Sequence, residues 1–265
     1  MLKDITLGQY FPGETVVHRL DPRTKIVLLV VYIVALFQAV GWWSYGLVLA
    51  VTVLVMILGR ITPKNIFKGL KPMLFIIVLT AMLNIFYTAG TPVVEGWIVT
   101  WEGIARSVQM ILRIVLLIAG TFLLTYTTSP IALTDGLEKL LNPLKKIKVP
   151  VHEMTLMMSM ALRFIPTLIE ETDKIMSAQK ARGADFETGS LFQRAKALLP
   201  ILVPLFVSAF RRADELAIAM ESRCYHGGEG RTRMKQLHFE TTDFVAFALG
   251  AVFLAVIFIM KHFGL

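Results

Sequence analysis

The sequence predicts an all-α integral membrane protein with about five transmembrane helices and a cytoplasmic or interfacial domain of long helices. Three observations predict it. Of the 265 residues, 55% are hydrophobic and the mean hydropathy is +0.66, which puts the membrane class first. No residue from Ile26 to Gly59 is charged. The block from 129 to about 240, in contrast, holds 16 Lys+Arg and 13 Asp+Glu, too many for a bundle of spans. It is nevertheless periodic and partly apolar. The expected division is an N-terminal membrane domain of four spans over 1–128, a cytoplasmic domain of long helices over 129–240, and a last transmembrane helix over 241–265.

The N-terminal stretch, MLKDITLGQYFPGETVVHRLDPRTK, has no apolar core of the kind a signal peptide carries. Insertion is therefore expected to rely on the later apolar segments. As one helix the 26–59 run would reach about 50 Å, against roughly 30 Å of hydrocarbon. GWWSYG (41–46) breaks it, with glycines for the turn and aromatic residues suited to a membrane interface. Two spans follow, near 25–42 and 45–60. A third is expected near 72–88, a fourth near 104–127 and a fifth near 243–260.

Loop charge sets the orientation. Arg19, Arg23 and Lys25 precede the first span, and Arg60, Lys64, Lys68 and Lys71 follow the second. Lys139, Lys145, Lys146 and Lys148 follow the fourth, whereas the 41–46 and 88–103 loops carry no Lys or Arg, only Glu95 and Glu102 in the latter. The positive-inside rule then puts the N-terminus in the cytoplasm and the C-terminus outside. A net charge of +8 points to anionic lipid and cytoplasmic loops before nucleic acid, for which no binding motif is present.

Within the charged block, Ser129 is placed to N-cap a helix that has Pro130 at its first position. Leu133, Leu137, Leu140, Leu141 and Leu144 form one apolar stripe, as in an amphipathic helix at a membrane surface. A second helix is expected over about 151–182, bent at Pro166 and stopped by Gly183. A third begins at Ser190, where Ser190 and Gln193 fit a capping box, and ends at Gly227–Gly228. Its apolar stretch, 197–210, is short for a span.

The last two helices end alike. Aligning Arg182 with Arg223 sets DKIMSAQKARGA over DELAIAMESRCY, with Asp173 on Asp214 and Ala178 on Ala219. Ala181-Arg182-Gly183 meets Ser222-Arg223-Cys224, small–Arg–small in both. One reading is a helix cap, an arginine in the last turn stabilising the carbonyl end by about 0.3–1 kcal/mol. The other is a pair of docking knobs, each guanidinium fork reaching a carboxylate on a partner.

Other candidates are weaker. Arg106 and Arg113 share a helical face in the fourth span. They are read either as a snorkelling residue and one facing protein, or as lining an ion pathway. No P-loop motif is present, so no ATP site is expected in this chain. His152-Glu153 opens an H-E-x-x-H, but position 156 is Leu. Glu170-Glu171 resembles the paired glutamates of some membrane proteases and reads instead as a solvated helix face. Cys224 reads as a small packing residue. No metal, cofactor or catalytic residue is expected, which sets an intramembrane enzyme behind a stand-alone channel or secondary transporter as a rival function.

LGQYFPGETVVHRLDPRTKI (7–26), the charge-poor spans and the two small–Arg–small endings resemble the transmembrane T component of energy-coupling factor transporters, prokaryotic importers of vitamins and metal ions. HRLDPRTK (18–25) is the most specific local match, and Ala181-Arg182-Gly183 matches the family's Ala-Arg-Gly motif. Ser222-Arg223-Cys224 keeps only the arginine and the small flanks. The resemblance implies a non-catalytic coupling subunit in the plasma membrane that joins two cytosolic ABC-type ATPases to a small substrate-binding membrane subunit. ATP is bound by those partners. It also implies that the arginine-ended helices sit in acidic grooves on the ATPases. In group II members one T component serves interchangeable substrate subunits. Met154, Met157, Met158 and Met160 form a soft surface that either packs in a core or contacts such subunits.

Overall fold

A computed structural model describes residues 10–92, 99–186, 190–227 and 237–264. Among these, the secondary structure is helical apart from an isolated bridge between Pro92 and Thr100. Leu7–Gln9 of the N-terminal match, Glu95 and Gly228 lie outside the described residues. The chain divides into two compact units. One takes its described residues from 10–136 and 237–264, so the helices of 1–128 and 241–265, separate in the sequence division, belong to one body. The other draws on 137–227.

The first unit begins with the short helix α1 (Val16–Arg19) and α2 (Pro22–Gln38). Asp21 caps α2, accepting from the Arg23 backbone N–H at 2.8 Å, with Pro22 at the first helical position. α3 (Trp42–Gly59) starts one residue after Gly41, so the break in the apolar run falls at 39–41 and most of GWWSYG is helical. α4 (Pro63–Leu70) passes through a 3-10 turn at Lys71–Met73 into α5 (Leu74–Tyr87). α6 (Trp101–Thr127) is the central helix. Its Leu116 packs with Leu36, Val48 and Ile257, and its Ala119, Leu123 and Tyr126 pack with Ile61, Ile66, Leu70 and Ile77.

Close approach is built into this packing. A Cβ on Gly120 would lie 2.4 Å from the Tyr32 ring, so only glycine lets α6 meet α2 there. The Tyr32 hydroxyl then reaches the Leu116 carbonyl and Thr52 Oγ1, both at 2.9 Å. Three helices are thereby joined inside an otherwise apolar core.

α10 (Thr241–His262) returns to α2 and runs parallel to it. At their starts the Asp21 N–H donates to Asp243 Oδ1 at 2.9 Å, and at their ends Lys261 Nζ donates to Gln38 Oε1 at 2.5 Å. HRLDPRTK forms the knot at the starting end. Arg23 forks onto both Asp21 carboxylate oxygens (3.0 and 2.7 Å) and stacks 3.9 Å over the Phe239 ring. Lys25 Nζ donates to the carbonyls of His18 (3.1 Å) and Thr127 (2.9 Å). Buried charges need such partners, and here each has one.

Five helical segments of the described residues are long and apolar enough to cross a membrane: Trp42–Gly59, Pro63–Tyr87, Trp101–Thr127, Phe192–Glu221 and Thr241–His262. Three of the expected spans match the first, third and fifth of these to within a few residues, and 72–88 overlaps the second, which ends at Tyr87. The remaining expected span, 25–42, is the 17-residue α2, still about 25 Å long. The parallel run of α2 and α10 requires an odd number of crossings between them. α3, α5 and α6 supply three. The 192–221 helix is therefore not a lone fourth crossing.

α7 (Pro130–Leu141) runs across the unit boundary, with the Ala132 N–H donating to the Ser129 hydroxyl oxygen at 3.3 Å. Of its leucine stripe, Leu133, Leu137 and Leu140 are half-buried and Leu141 and Leu144 exposed, while the residues it buries are Thr134, Gly136 and Glu138; a partly open apolar stripe suits a helix at a lipid surface. A 3-10 turn (Asn142–Ile147) leads to the second unit's two 31-residue helices, α8 (Val151–Ala181) and α9 (Leu191–Glu221). α8 continues through Pro166 and α9 through Pro200 and Pro204. The capping box at Ser190 is formed: the Gln193 N–H donates to Ser190 Oγ, and the Ser190 N–H to Gln193 Oε1.

Candidate functional site

Helix ends leave carbonyls without partners, and a residue in the left-handed region lets the chain fold back to satisfy them. α8 ends this way. The Gly183 N–H donates to the Lys180 carbonyl (3.0 Å) and the Ala184 N–H to the Gln179 carbonyl (3.0 Å), with Gly183 at φ +89°. α9 ends in the same motif 41 residues on. The Cys224 N–H donates to the Glu221 carbonyl (2.8 Å) and the Tyr225 N–H to the Met220 carbonyl (3.0 Å), with Cys224 at φ +54°. α9 thus closes at Cys224, before the Gly227–Gly228 end that the sequence favours.

The small–Arg–small pattern acquires a geometric meaning. By these hydrogen bonds Gly183 and Cys224 are the equivalent left-handed residues, Arg182 and Arg223 each stand immediately before them, and Ala181 and Ser222 one position earlier, although α8 runs to Ala181 and α9 only to Glu221. A Cβ on Gly183 would meet nothing within 4 Å, so glycine is there for its backbone. Cys224 is exposed, which corrects its reading as a packing residue. It stands where glycine would be easier. Both arginines are exposed, and among the described residues neither guanidinium has a hydrogen-bond or ion-pair partner.

The two helices pack against each other through an ion pair, Arg212 Nη2 to Glu171 Oε2 at 2.8 Å, with side chains 35% and 23% exposed. Glu171 is therefore engaged, and only Glu170 of that acidic pair lies on a solvated face. Each capping arginine lies eleven residues beyond the ion pair on its own helix (171 to 182, 212 to 223), about 16 Å along the axis. Arg212 belongs to no motif that would single it out by itself. The signal was its offset from Glu171, the same as that between Arg182 and Arg223.

The remaining candidates fall elsewhere. Met154, Met157 and Met158 are exposed on the first turns of α8, and Met160 is half-buried. Arg106 is exposed. Arg113 donates from Nη2 to the Ala39 carbonyl at 3.3 Å, capping the C-terminal end of α2, and lies 5.8 Å from the Phe37 and Tyr45 ring centroids. These contacts bind Arg113 to protein. His152 Nδ1 pairs with Glu138 Oε1 at 3.2 Å rather than with Glu153.

The sequence matches the family model described as cobalt transport protein, CbiQ, over residues 13–234. It is 51% identical over 265 residues to the energy-coupling factor transporter transmembrane protein EcfT of Ruminiclostridium cellulolyticum, covering 99% of each chain. The protein of that name from Clostridium kluyveri is 54% identical over 266 residues, 99% of this chain and 98% of the other. That from Bacillus subtilis is 47% identical over 264 residues, 98% and 100% respectively. With its long apolar helices, this chain is a multi-pass membrane protein. It belongs to the CbiQ family, among the EcfT transmembrane components of energy-coupling factor transporters.

Proposed function

We propose that this chain is the coupling subunit of an ATP-driven importer, joining two cytosolic ABC-type ATPases to a small substrate-binding membrane subunit. Arg182 and Arg223 each enter an acidic groove on one ATPase. The observation that carries this reading is the duplicated cap, which presents two unpaired guanidinium groups at equal reach from the α8–α9 ion pair. A rigid fork with no partner among the described residues suits a carboxylate on another chain. ATP-driven closure of the two ATPases would shift the two helix ends, and α8 and α9 would carry that shift to the substrate subunit. Vitamin or metal-ion cargo is held by that subunit, so this chain has no part in the chemistry. The exposed methionines at 154, 157 and 158, with Met160 beside them, are assigned to the substrate-subunit contact.

The basic N-terminal ends of α2 and the basic segment after α3 lie toward one end of the first unit. Positive-inside places that end, and the N-terminus, in the cytoplasm. The direct test is co-purification with the two ATPases of wild type, Arg182→Glu, Arg223→Glu and the double variant. Charge reversal turns attraction into repulsion, so the double variant should insert normally and lose both ATPases. Retention of both would reduce the arginines to helix caps and overturn the proposal.

A further inference from the structure

We propose that α4 and the turn after it form a binding site for anionic phospholipid, through Lys64, Lys68 and Lys71. The spacing of these lysines, i, i+4 and i+7, sets them on one helical stripe. Ile66, Leu70 and Ile77 form the opposite stripe and are buried against α6. Phe67 and Phe75 flank the lysines and are 70% and 75% exposed. All three lysines are exposed, and among the described residues none has an ion-pair partner. No acidic residue occurs between Ile26 and Val94.

Depth is set by α6. At 27 residues it is about 40 Å long, against roughly 30 Å of hydrocarbon, so its terminal turns reach headgroup level. α4 lies beside the last of them. The Tyr126 hydroxyl donates to the Asn65 carbonyl at 3.3 Å, and a Cβ on Gly69 would strike the Phe122 ring at 2.2 Å. Three unpaired ammonium groups thus stand at the level of lipid phosphates, with two phenylalanines beside them for the acyl region. A cationic stripe bordered by apolar rings complements a phospholipid, which offers both phosphate and chain. A soluble anion would use only the lysines.

The test places one fluorophore at this stripe. The described tryptophans, Trp42, Trp43 and Trp101, begin α3 and α6, at the far end of both helices. Phe67→Trp in the full chain, reconstituted in nanodiscs, therefore gives a local signal once the parent protein's emission is subtracted. Each lysine near an anionic surface contributes roughly a five-fold preference or less. Quenching by brominated phosphatidylglycerol should exceed that by brominated phosphatidylcholine at equal mole fraction. K64Q/K68Q/K71Q should abolish the excess, and K64R/K68R/K71R should keep it. Added glycerophosphate should leave the excess unchanged. Equal quenching by both lipids, no quenching by either, or loss of the excess to glycerophosphate would each overturn the site.

Discussion

Glu171 and Arg212, joined at 2.8 Å, occupy equivalent positions of two similar helices. The register that aligns Arg182 with Arg223 also aligns these two. The α8–α9 crossing is thus held by a residue of one helix paired with its own counterpart on the other. An approximate two-fold relation follows locally, and it equalises the lengths of the two arginine-ended arms. For a subunit proposed to serve two ATPases, equal reach is the relevant property.

That relation predicts a charge-swap result. Glu171→Arg or Arg212→Glu alone should lower the melting temperature in detergent and weaken co-purification with both ATPases together. The swapped pair should recover most of the loss. A partly exposed pair contributes about 1 kcal/mol or less, so the coupling energy from the double-mutant cycle should fall in that range. Independent effects of the two variants would refute the claim that this ion pair holds the α8–α9 crossing.

The left-handed cap of α9 predicts a stabilising substitution. Cys224→Gly removes a Cβ from a conformation that costs an L-residue about 1–2 kcal/mol, and it should raise the melting temperature. Gly183→Ala should lower it by a comparable amount, since the added Cβ finds open space and only the backbone is penalised. Calorimetry of the two variants beside the parent decides it.

Cys224 is the only cysteine in the sequence and is exposed beside Arg223. A membrane-impermeant maleimide should label it in inside-out vesicles and not in right-side-out ones. Adding the two ATPases should then protect it. Labelling from the outside would reverse the proposed orientation.

Asp243 is 1% exposed and accepts backbone N–H groups from Asp21 and Glu240, both at 2.9 Å. Asp243→Leu leaves the buried Asp21 N–H without a partner, at about 1–3 kcal/mol, and frees the part-buried Glu240 N–H at a smaller cost. Reduced yield of folded protein and faster proteolysis after Gln38 or before Thr241 are expected. Asp243→Asn, which keeps one acceptor oxygen, should be milder.

His18 closes the N-terminal stretch. The Phe11 carbonyl can only accept, so Nε2 carries the proton and donates at 3.1 Å, leaving Nδ1 to accept from the Thr15 hydroxyl at 2.7 Å. Partial burial holds its pKa below the usual histidine value; the bond to Phe11 opposes that, and nearby Lys25 adds to it. A lowered pKa favours the neutral ring, so its stabilisation is complete above about 6.5 and is lost as pH falls through the depressed value. Protection factors over 11–19, with the intrinsic pH dependence of amide exchange divided out, should fall below pH 6, and His18→Gln should remove that fall.

Most of the bundle was legible because lipid imposes long uncharged runs, and capping residues mark their starts. Ser129–Pro130 and Ser190–Gln193 were readable for the same reason. The ends were harder. Cys224 in a left-handed conformation has no sequence signature, so the third long helix read several residues too far. Arg113 could be read as facing protein or as lining a pathway, and its partner could not be named, because that partner is a backbone carbonyl, which every residue carries. The two arginine endings were visible as a pattern. That Gly183 and Cys224 share one cap geometry was visible only in the hydrogen bonds.

The link between Asp21 and Asp243 joins residues 222 positions apart. At about 5–20 residues per second of synthesis, Asp21 waits roughly 10–45 s for its partner to leave the ribosome. During that interval α2 is in place with one side uncovered, and Arg23 lacks the Phe239 ring. Both arginine-ended helices are already made when the first membrane bundle closes, so the last step of biogenesis is the seating of α10 and not the extension of the arms.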